Sequence, residues 1–234
     1  MEVPEAGSWA EEQRRLQAVS ARGGHQRSKQ RAEPVAGLGY GLRQRSATGV
    51  RHCARRSGLG GQGELGYTRS MAALVYLETS IISYLTAWPS RDLIVAGRQQ
   101  LTHEWWNRRR SSFEVVVSEL VHLECADGDP AAAARRATFL AALRSLETTA
   151  EAETLALALL KGAALPSKAR ADALHIAIAA TQGVSYLLTW NSAHIANAEK
   201  RPLVETVCRL SGYEAPILCT PDELMGEDSN VDAS

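Results

Sequence analysis

The stretch Leu74-Val-Tyr-Leu-Glu-Thr-Ser-Ile-Ile-Ser-Tyr-Leu85 decides the fold class of this 234-residue chain. A run of strand-forming apolar residues ends abruptly at the acid Glu78, and Thr79 and Ser80 follow with hydroxyl groups that can cap a helix. In an open parallel sheet, the carboxyl ends of the strands face the crevice where ligands bind. The stretch therefore predicts a strand that delivers Glu78 to a functional site.

Further strand-like and helix-like segments alternate downstream. Short apolar or β-branched runs occur at 113–117, 146–148, 186–190 and 216–219. Helical patterns separate them, and the last of these covers 193–210 with an interruption near Pro202. Strands joined through one or two helices require right-handed crossovers. We therefore predict an α/β fold with three layers, α/β/α, and a mainly parallel central sheet of four to five strands.

Composition divides the chain into parts of opposite charge. Residues 1–70 hold 12 Lys/Arg against 6 Asp/Glu and 12 of the 18 glycines. Such a segment buries too little apolar surface to offset its ordering entropy, so we interpret it as a disordered basic extension. One alternative is that residues 1–70 form a nucleic-acid-binding arm. The favoured alternative is that the protein starts at Met71 and that residues 1–70 are translated upstream sequence. Residues 71–225 are predicted to fold, and 226–234 to form a disordered acidic tail.

Location is also predicted from composition. No segment approaches the roughly 18 apolar residues of a membrane-spanning helix, and the amino terminus lacks the apolar block of a secretory signal. The four cysteines show no paired metal-binding or disulfide spacing, so they are interpreted as free and mostly buried thiols. They are Cys53, Cys125, Cys208 and Cys219. A cytoplasmic protein without membrane association is expected.

Acidic and amide side chains can converge at the carboxyl edge of the predicted sheet. The candidates are Glu78, Glu119 or Glu124, Asp172 and Asn191. Facing carboxylates repel and raise one another's pKa unless a cation lies between them. A hard divalent ion such as Mg²⁺ or Mn²⁺ removes that cost and suits phosphodiester chemistry.

The second acid is open to two interpretations. Glu119 and Glu124 are roughly 140° apart around a helix, so they do not both face one site. Glu119 suits the first turn of a helix, where an acid favours the dipole. Glu124 lies among apolar residues, where a charge is costly, and is therefore the favoured candidate.

The penultimate helix carries two candidates. Asp172 lies at the edge of an otherwise apolar helix, where a charge is rarely buried without a partner. His175 lies one turn later on the same face, where it can orient Asp172, contact a substrate or be a satisfied core residue.

The chain resembles the PIN-domain family, in particular the VapC-like toxins of bacterial toxin–antitoxin pairs. Four segments within 71–225 carry the resemblance and occur in family order. They are Tyr76-Leu-Glu-Thr-Ser80, Ser118-Glu-Leu-Val-His-Leu-Glu124, Ala171-Asp-Ala-Leu-His-Ile-Ala177 and Leu187-Leu-Thr-Trp-Asn191 with the trailing His194-Ile195.

The resemblance implies a Mg²⁺- or Mn²⁺-dependent endoribonuclease that leaves a 5′-phosphate and a 3′-hydroxyl. It implies that Glu78, Glu124 and Asp172 hold the metal, and that Asn191 completes the catalytic set. Supporting roles fall to Thr79 and Ser80 beside the first acid, Thr189 beside the fourth position, and His175. The implied partners are RNA, a second copy of the chain and a cognate antitoxin.

Two positions depart from the family pattern. The first acid is usually Asp and is Glu78 here, and the fourth is usually Asp and is Asn191, which offers a carbonyl oxygen without charge. Three carboxylates are enough for one ion, and a second ion is expected only with substrate phosphate present. The alternative function is a catalytically degenerate PIN-like domain that acts as a binding module. A phosphatase or other hydrolase on a similar sheet is disfavoured, because the chain lacks Asp-x-Asp after the first strand, a Gly-rich phosphate loop and G-x-S-x-G.

Overall fold

A computed structural model describes residues 72–162 and 164–226. The predicted basic extension and acidic tail lie outside these residues.

Five strands and seven α-helices alternate in the described part of the chain. The strands are β1 (Leu74–Leu77), β2 (Glu114–Ser118), β3 (Arg144–Leu146), β4 (Tyr186–Leu188) and β5 (Ile217–Cys219). The helices are α1 (Thr79–Thr86), α2 (Leu93–Arg108), α3 (Glu119–Cys125), α4 (Pro130–Leu140), α5 (Ala150–Lys161), α6 (Arg170–Thr181) and α7 (Arg201–Leu210).

The strands form one sheet in the order β3-β2-β1-β4-β5, and every neighbouring pair is parallel. Val75 of β1 is paired with Val115 of β2 on one side and with Tyr186 of β4 on the other. The predicted α/β class and parallel sheet are confirmed, with five strands.

Helices cover both faces of the sheet. The chain moves in one direction along the sheet from β1 to β3, and in the other direction from β3 to β5. Right-handed crossovers therefore place α1 to α4 on one face and α5 to α7 on the other. Packing agrees, because α1 contacts α2, α3 and α4, while α5 contacts α6 and α7. This is the predicted three-layer arrangement.

The core lies on both sides of the central strands. Val75, Tyr76 and Leu77 of β1 are fully buried, as expected for a parallel strand covered by helices on both faces. Helix α6 is buried without interruption from Ala173 to Ala180, because β4 and α5 both contact it. This burial explains why its apolar residues do not form a single stripe. It also places His175 in the interior.

The predicted strands 113–117, 186–190 and 216–219 differ from β2, β4 and β5 by one or two residues at an end, and two further elements differ in position. The third strand was placed at 146–148 but is Arg144–Leu146, because Thr149 is the N-cap of α5 and takes the chain out of the sheet. The last helix was placed at 193–210 with an interruption near Pro202, but it begins only at Arg201. Its second residue is Pro202, which is tolerated in a first helical turn, where its missing N–H would have no partner.

The predictions on cysteines and membrane spans can be compared only within the described residues. Cys125, Cys208 and Cys219 are free and buried, as predicted, and burial raises their pKa to about 12, 11 and 12. Cys53 lies outside the described residues. No described helix has the length and apolar character needed to cross a bilayer.

Candidate metal centre

The candidate site lies where the strand order reverses. β1 and β4 are neighbours in the sheet, yet the chain leaves β1 towards β2 and leaves β4 towards β5. Such a switch point opens a crevice outside the carboxyl ends of the two strands. Glu78 directly follows β1, and its N–H donates to the carbonyl oxygen of Leu188 at the end of β4, at 3.0 Å.

Glu78 is held in the crevice by residues from both strand ends. It is the N-cap of α1, and its Oε2 accepts from the Ser80 N–H at 3.1 Å and from the Ser80 hydroxyl at 2.5 Å. The Thr189 hydroxyl donates to the same oxygen at 2.7 Å. Glu78 is 7% exposed, and its Oε1 has no hydrogen-bond partner among the described residues. One oxygen is therefore anchored, and the other is available to a ligand.

Hydroxyl groups also join the ends of β1 and β4. The Trp190 N–H donates to Ser80 Oγ at 2.9 Å, and the Asn191 N–H donates to Thr189 Oγ1 at 2.9 Å. Ser80 therefore contacts the first acid, and Thr189 contacts Asn191 at the fourth position. Thr79 differs, because its hydroxyl donates to Glu124 and not to Glu78.

Glu124 extends from α3 into the same crevice. Its Oε2 accepts from the Thr79 hydroxyl and lies 3.0 Å from His175 Nε2. Burial alone would raise the pKa of Glu124, but the charge and hydrogen bond of His175, together with the Thr79 hydroxyl, outweigh burial and lower it. Its Oε1 forms no hydrogen bond within the described part of the protein.

Glu119 lies away from the crevice. Its side chain is exposed, and Oε2 accepts from the N–H of Thr148 at 3.2 Å, beyond the end of β3. Of the two acids that the sequence offered for the second position, Glu124 is therefore the one that approaches Glu78.

Asp172 and Asn191 form a pair at the edge of the crevice. The Asn191 side-chain amide donates to Asp172 Oδ1 at 2.8 Å, and the Asn191 carbonyl oxygen accepts from the His194 N–H at 3.1 Å. Asn191 therefore uses its oxygen within its own turn and offers its amide to Asp172. Burial, with the charges of Glu78 and Glu124, raises the pKa of Asp172 despite the opposing effect of His175 and His194.

His175 contacts Glu124 and not Asp172. Orienting Asp172 was one of three roles that the sequence offered, beside substrate contact and a satisfied core residue. It is 1% exposed, and both ring nitrogens are engaged: Nε2 with Glu124, and Nδ1 with the Tyr76 hydroxyl at 2.7 Å. Burial disfavours the charged ring, but Glu124 and then the other acids raise its pKa above the ordinary value. The Tyr76 hydroxyl also lies 2.6 Å from Ser118 Oγ.

Sequence reasoning did not assign Tyr76 and Ser118 to the site. Tyr76 was interpreted as one residue of an apolar strand, and Ser118 as a helix cap. Ser118 does cap α3, since its Oγ accepts from the Val121 N–H at 3.3 Å. The available signal was a buried phenol and a hydroxyl at the ends of neighbouring strands, because a buried hydroxyl needs a hydrogen-bond partner.

The donor atoms of Glu78, Glu124 and His175 all lie within 4.8 Å of one another, a geometry that can hold a metal ion. Asp172 is outside this group of three, yet the charges of both glutamates act on its pKa. Within the described part of the chain, His175 is the only basic side chain within ion-pair distance of Glu78, Glu124 or Asp172. The crevice thus concentrates negative charge around carboxylate oxygens that have no hydrogen-bond donor among residues 72–162 and 164–226.

Comparison with protein-family models finds none that matches the chain, and comparison with curated proteins finds no significant match.

Proposed function

We propose that this protein is a divalent-metal-dependent endoribonuclease of the PIN type. The observation that supports it best is the approach of the Glu78 and Glu124 carboxylates, whose oxygens lie within 4.8 Å of each other, with Asp172 close enough for both charges to raise its pKa. Among the described residues, each of the three carboxylates has one oxygen that accepts a hydrogen bond and one that does not. Like charges are costly at this degree of burial unless a cation lies between them. One imidazole does not neutralise three acids, so the crevice suits a divalent ion.

The ligand atoms favour Mg²⁺ or Mn²⁺, since hard cations of this kind are bound by a few carboxylates together with water and substrate phosphate. Glu78, Glu124 and Asp172 would hold the ion. When bound, such an ion supplies electrophilic assistance: it lowers the pKa of the attacking water and offsets charge on the leaving oxygen. Ser80, Thr189 and Asn191 fix the carboxylates that face it.

A cation beside the crevice fits a polyanionic substrate. The Arg98 guanidinium lies 5.4 Å from the centre of the Trp190 ring, and the Trp190 indole N–H donates to Thr102 at 2.8 Å. These two contacts fix the indole ring of Trp190, whose neighbours in sequence, Thr189 and Asn191, belong to the crevice. Arg98 forms no ion pair with a carboxylate among the described residues. A phosphate of bound RNA would form a charge-assisted hydrogen bond with the Arg98 guanidinium.

Replacing Arg98 by Ala is expected to weaken RNA binding and to reduce its salt dependence by about one phosphate contact, since one Lys or Arg neutralises about one phosphate. KM should rise more than kcat falls, because Arg98 is not a ligand of the ion. Fluorescence anisotropy with single-stranded RNA at several salt concentrations measures the first effect. Arg209→Ala on α7 removes the same charge from the other helical layer and should leave both constants unchanged.

Metal affinity is expected to depend on pH through Asp172. The pKa of this carboxyl is raised from its ordinary value of 3.8, so protons compete with the ion at a higher pH than usual. The association constant for Mn²⁺ should reach its maximum above the raised pKa of Asp172 and decline as the pH falls through that pKa. Titration at a series of pH values, with Asp172→Asn as the comparison, measures this dependence. A variant with the same pH profile as the wild type would exclude Asp172 as its origin.

The toxin assignment, the homodimer and the antitoxin partner follow from the family resemblance and are proposed with it. The cytoplasmic location follows from composition and is proposed likewise. A neighbouring small gene for a protein with a DNA-binding amino terminus is the expected genetic context. Co-expression of that protein should suppress the ribonuclease activity.

A second candidate is a PIN-like binding module without catalysis. It is favoured by Asn191, whose carbonyl oxygen accepts from His194 and so is not offered to a second ion. The nuclease is tested by incubating the full chain with RNA and Mn²⁺ or Mg²⁺. Metal-dependent cleavage that stops on chelation and leaves 5′-phosphates supports the nuclease. RNA binding without cleavage under the same conditions supports the module.

A further inference from the structure

We propose that a buried chain of side chains, Ser118–Tyr76–His175, positions Glu124 for the metal ion. His175 is thus a positioning residue and not a metal ligand, although its ring lies close enough to be one. The inference rests on the proposed metal-dependent function, because it assigns a role within that site. It also makes a statement about the metal-free protein that can be tested separately.

The hydrogen-bonded side chains Ser118, Tyr76, His175 and Glu124 link both helical layers through the sheet. Ser118 ends β2, Tyr76 lies in β1, His175 lies in α6 on one face, and Glu124 lies in α3 on the other. Ser118, Tyr76 and His175 are at most 1% exposed. Successive heavy-atom distances are 2.6 Å from Ser118 Oγ to the Tyr76 hydroxyl, 2.7 Å to His175 Nδ1, and 3.0 Å from Nε2 to Glu124 Oε2. No link requires water.

Hydrogen-bond satisfaction sets the direction of the chain. The Val121 N–H can only donate, and it donates to Ser118 Oγ. If Ser118 donates to Tyr76 and Tyr76 donates to His175 Nδ1, then every hydroxyl proton has an acceptor. In the reverse direction, the Ser118 proton has no acceptor among the described residues, which is costly for a buried hydroxyl.

This direction applies to the neutral ring, above the pKa of His175, and leaves the ring proton on Nε2, where it donates to Glu124 Oε2. The same oxygen accepts from the Thr79 hydroxyl. Two donors from opposite sides of the sheet therefore fix one oxygen of Glu124 and leave Oε1 for the ion. A nitrogen that carries a proton is not a metal ligand, so the metal set consists of carboxylates. Outer partners of this kind commonly change metal affinity by about 10–100-fold when they are removed.

Tyr76→Phe tests this series of hydrogen bonds most selectively, because it keeps the aromatic ring and removes only the hydroxyl. Mn²⁺ affinity is expected to fall about 10–100-fold, with kcat/KM falling in parallel. Tyr186→Phe is the matched control, since Tyr186 also lies in a central strand and its hydroxyl has no hydrogen-bond partner among the described residues. Equal Mn²⁺ affinity in Tyr76→Phe, Tyr186→Phe and the wild type would overturn the proposal.

Variants of His175 separate a donor from a filler of space. His175→Gln retains an amide N–H that can reach Glu124, whereas His175→Leu retains bulk without a donor. Gln is expected to restore most of the Mn²⁺ affinity that Leu loses. Equal affinity of the two variants, at matched helical content by circular dichroism, would contradict a positioning role.

Two spectroscopic measurements examine His175 itself, the first its protonation and the second its coordination to the ion. In the metal-free wild type, at a pH above the raised pKa of His175, ¹⁵N–¹H correlation spectra should find the neutral ring protonated on Nε2. A neutral ring protonated on Nδ1 would overturn the proposal whether or not the protein is a nuclease. In the Mn²⁺-loaded protein, pulsed electron paramagnetic resonance should find no directly coordinated ¹⁴N. A coordinated ¹⁴N that disappears in His175→Gln would make His175 a ligand. Failure of the wild type to bind Mn²⁺ would instead contradict the proposed function.

Discussion

Replacing Glu124 by Gln is expected to abolish metal-dependent RNA cleavage while leaving the fold intact. The Gln carbonyl oxygen can accept from Thr79 and His175 as Glu124 Oε2 does, so the local hydrogen bonds are kept. What is lost is a negative charge and the oxygen that faces the crevice. An ion that stabilises the transition state by about 4 kcal/mol accounts for roughly a 10³-fold rate enhancement, so kcat/KM should fall by at least about that factor.

Glu119→Gln is the matched control for this experiment. Glu119 lies on the same helix and is exposed, with its carboxylate bonded to the N–H of Thr148 outside the crevice. The two variants carry the same change in charge and composition. Activity should therefore be lost in Glu124→Gln and retained in Glu119→Gln. The reverse pattern would exchange the roles of the two acids.

Asp172→Asn is expected to remove the activity to a similar degree and, in addition, to stabilise the metal-free protein. The pKa of Asp172 is raised in the folded state by burial and by the charges of Glu78 and Glu124. A carboxyl of raised pKa disfavours folding at pH values above that pKa, where it must be ionised. Thermal unfolding in the presence of a chelator should therefore give a higher melting temperature for Asp172→Asn than for the wild type.

Glu124→Gln should have the opposite effect on stability. The pKa of Glu124 is lowered in the folded state, so its ionised form stabilises the fold at pH values above its ordinary pKa of 4.5, and this contribution is lost as the pH falls through the lowered value. At neutral pH, Glu124→Gln should melt below the wild type. Asp222→Asn, an exposed acid on the turn after β5, should change neither melting temperature nor activity. Equal shifts for Glu124→Gln and Asp172→Asn would contradict the distinction drawn between these two carboxyl groups.

The fold was predictable where local pattern and topology agree. The apolar run that ends at Glu78 predicted a strand. The alternation of strands and helices predicted parallel pairing, with crossover helices on both faces of the sheet. The placement of Glu78 and Glu124 at one edge follows from the same rule, because the carboxyl ends of parallel strands lie together. Glu124 was preferred over Glu119 because of the apolar residues around it, and the structure brings it to Glu78.

Other features depend on contacts that local pattern does not encode. Residues 144–146 form a strand only because β2 pairs with them in register, since Arg144 and Ser145 are not strong strand formers. The partner of His175 depends on how α6 is rotated against the sheet. Tyr76 has the same alternation as its apolar neighbours, so its polar role becomes visible only when its hydroxyl meets Ser118 and His175.

Titration calorimetry of the full chain with Mn²⁺ tests the central claim most directly, because every step proposed for the site depends on an ion held by Glu78, Glu124 and Asp172. The wild type and Glu119→Gln should give saturable binding, and Glu124→Gln should give little or none. Absence of binding by the wild type at millimolar Mn²⁺, or unchanged binding by Glu124→Gln, would contradict the claim that these acids form a metal centre.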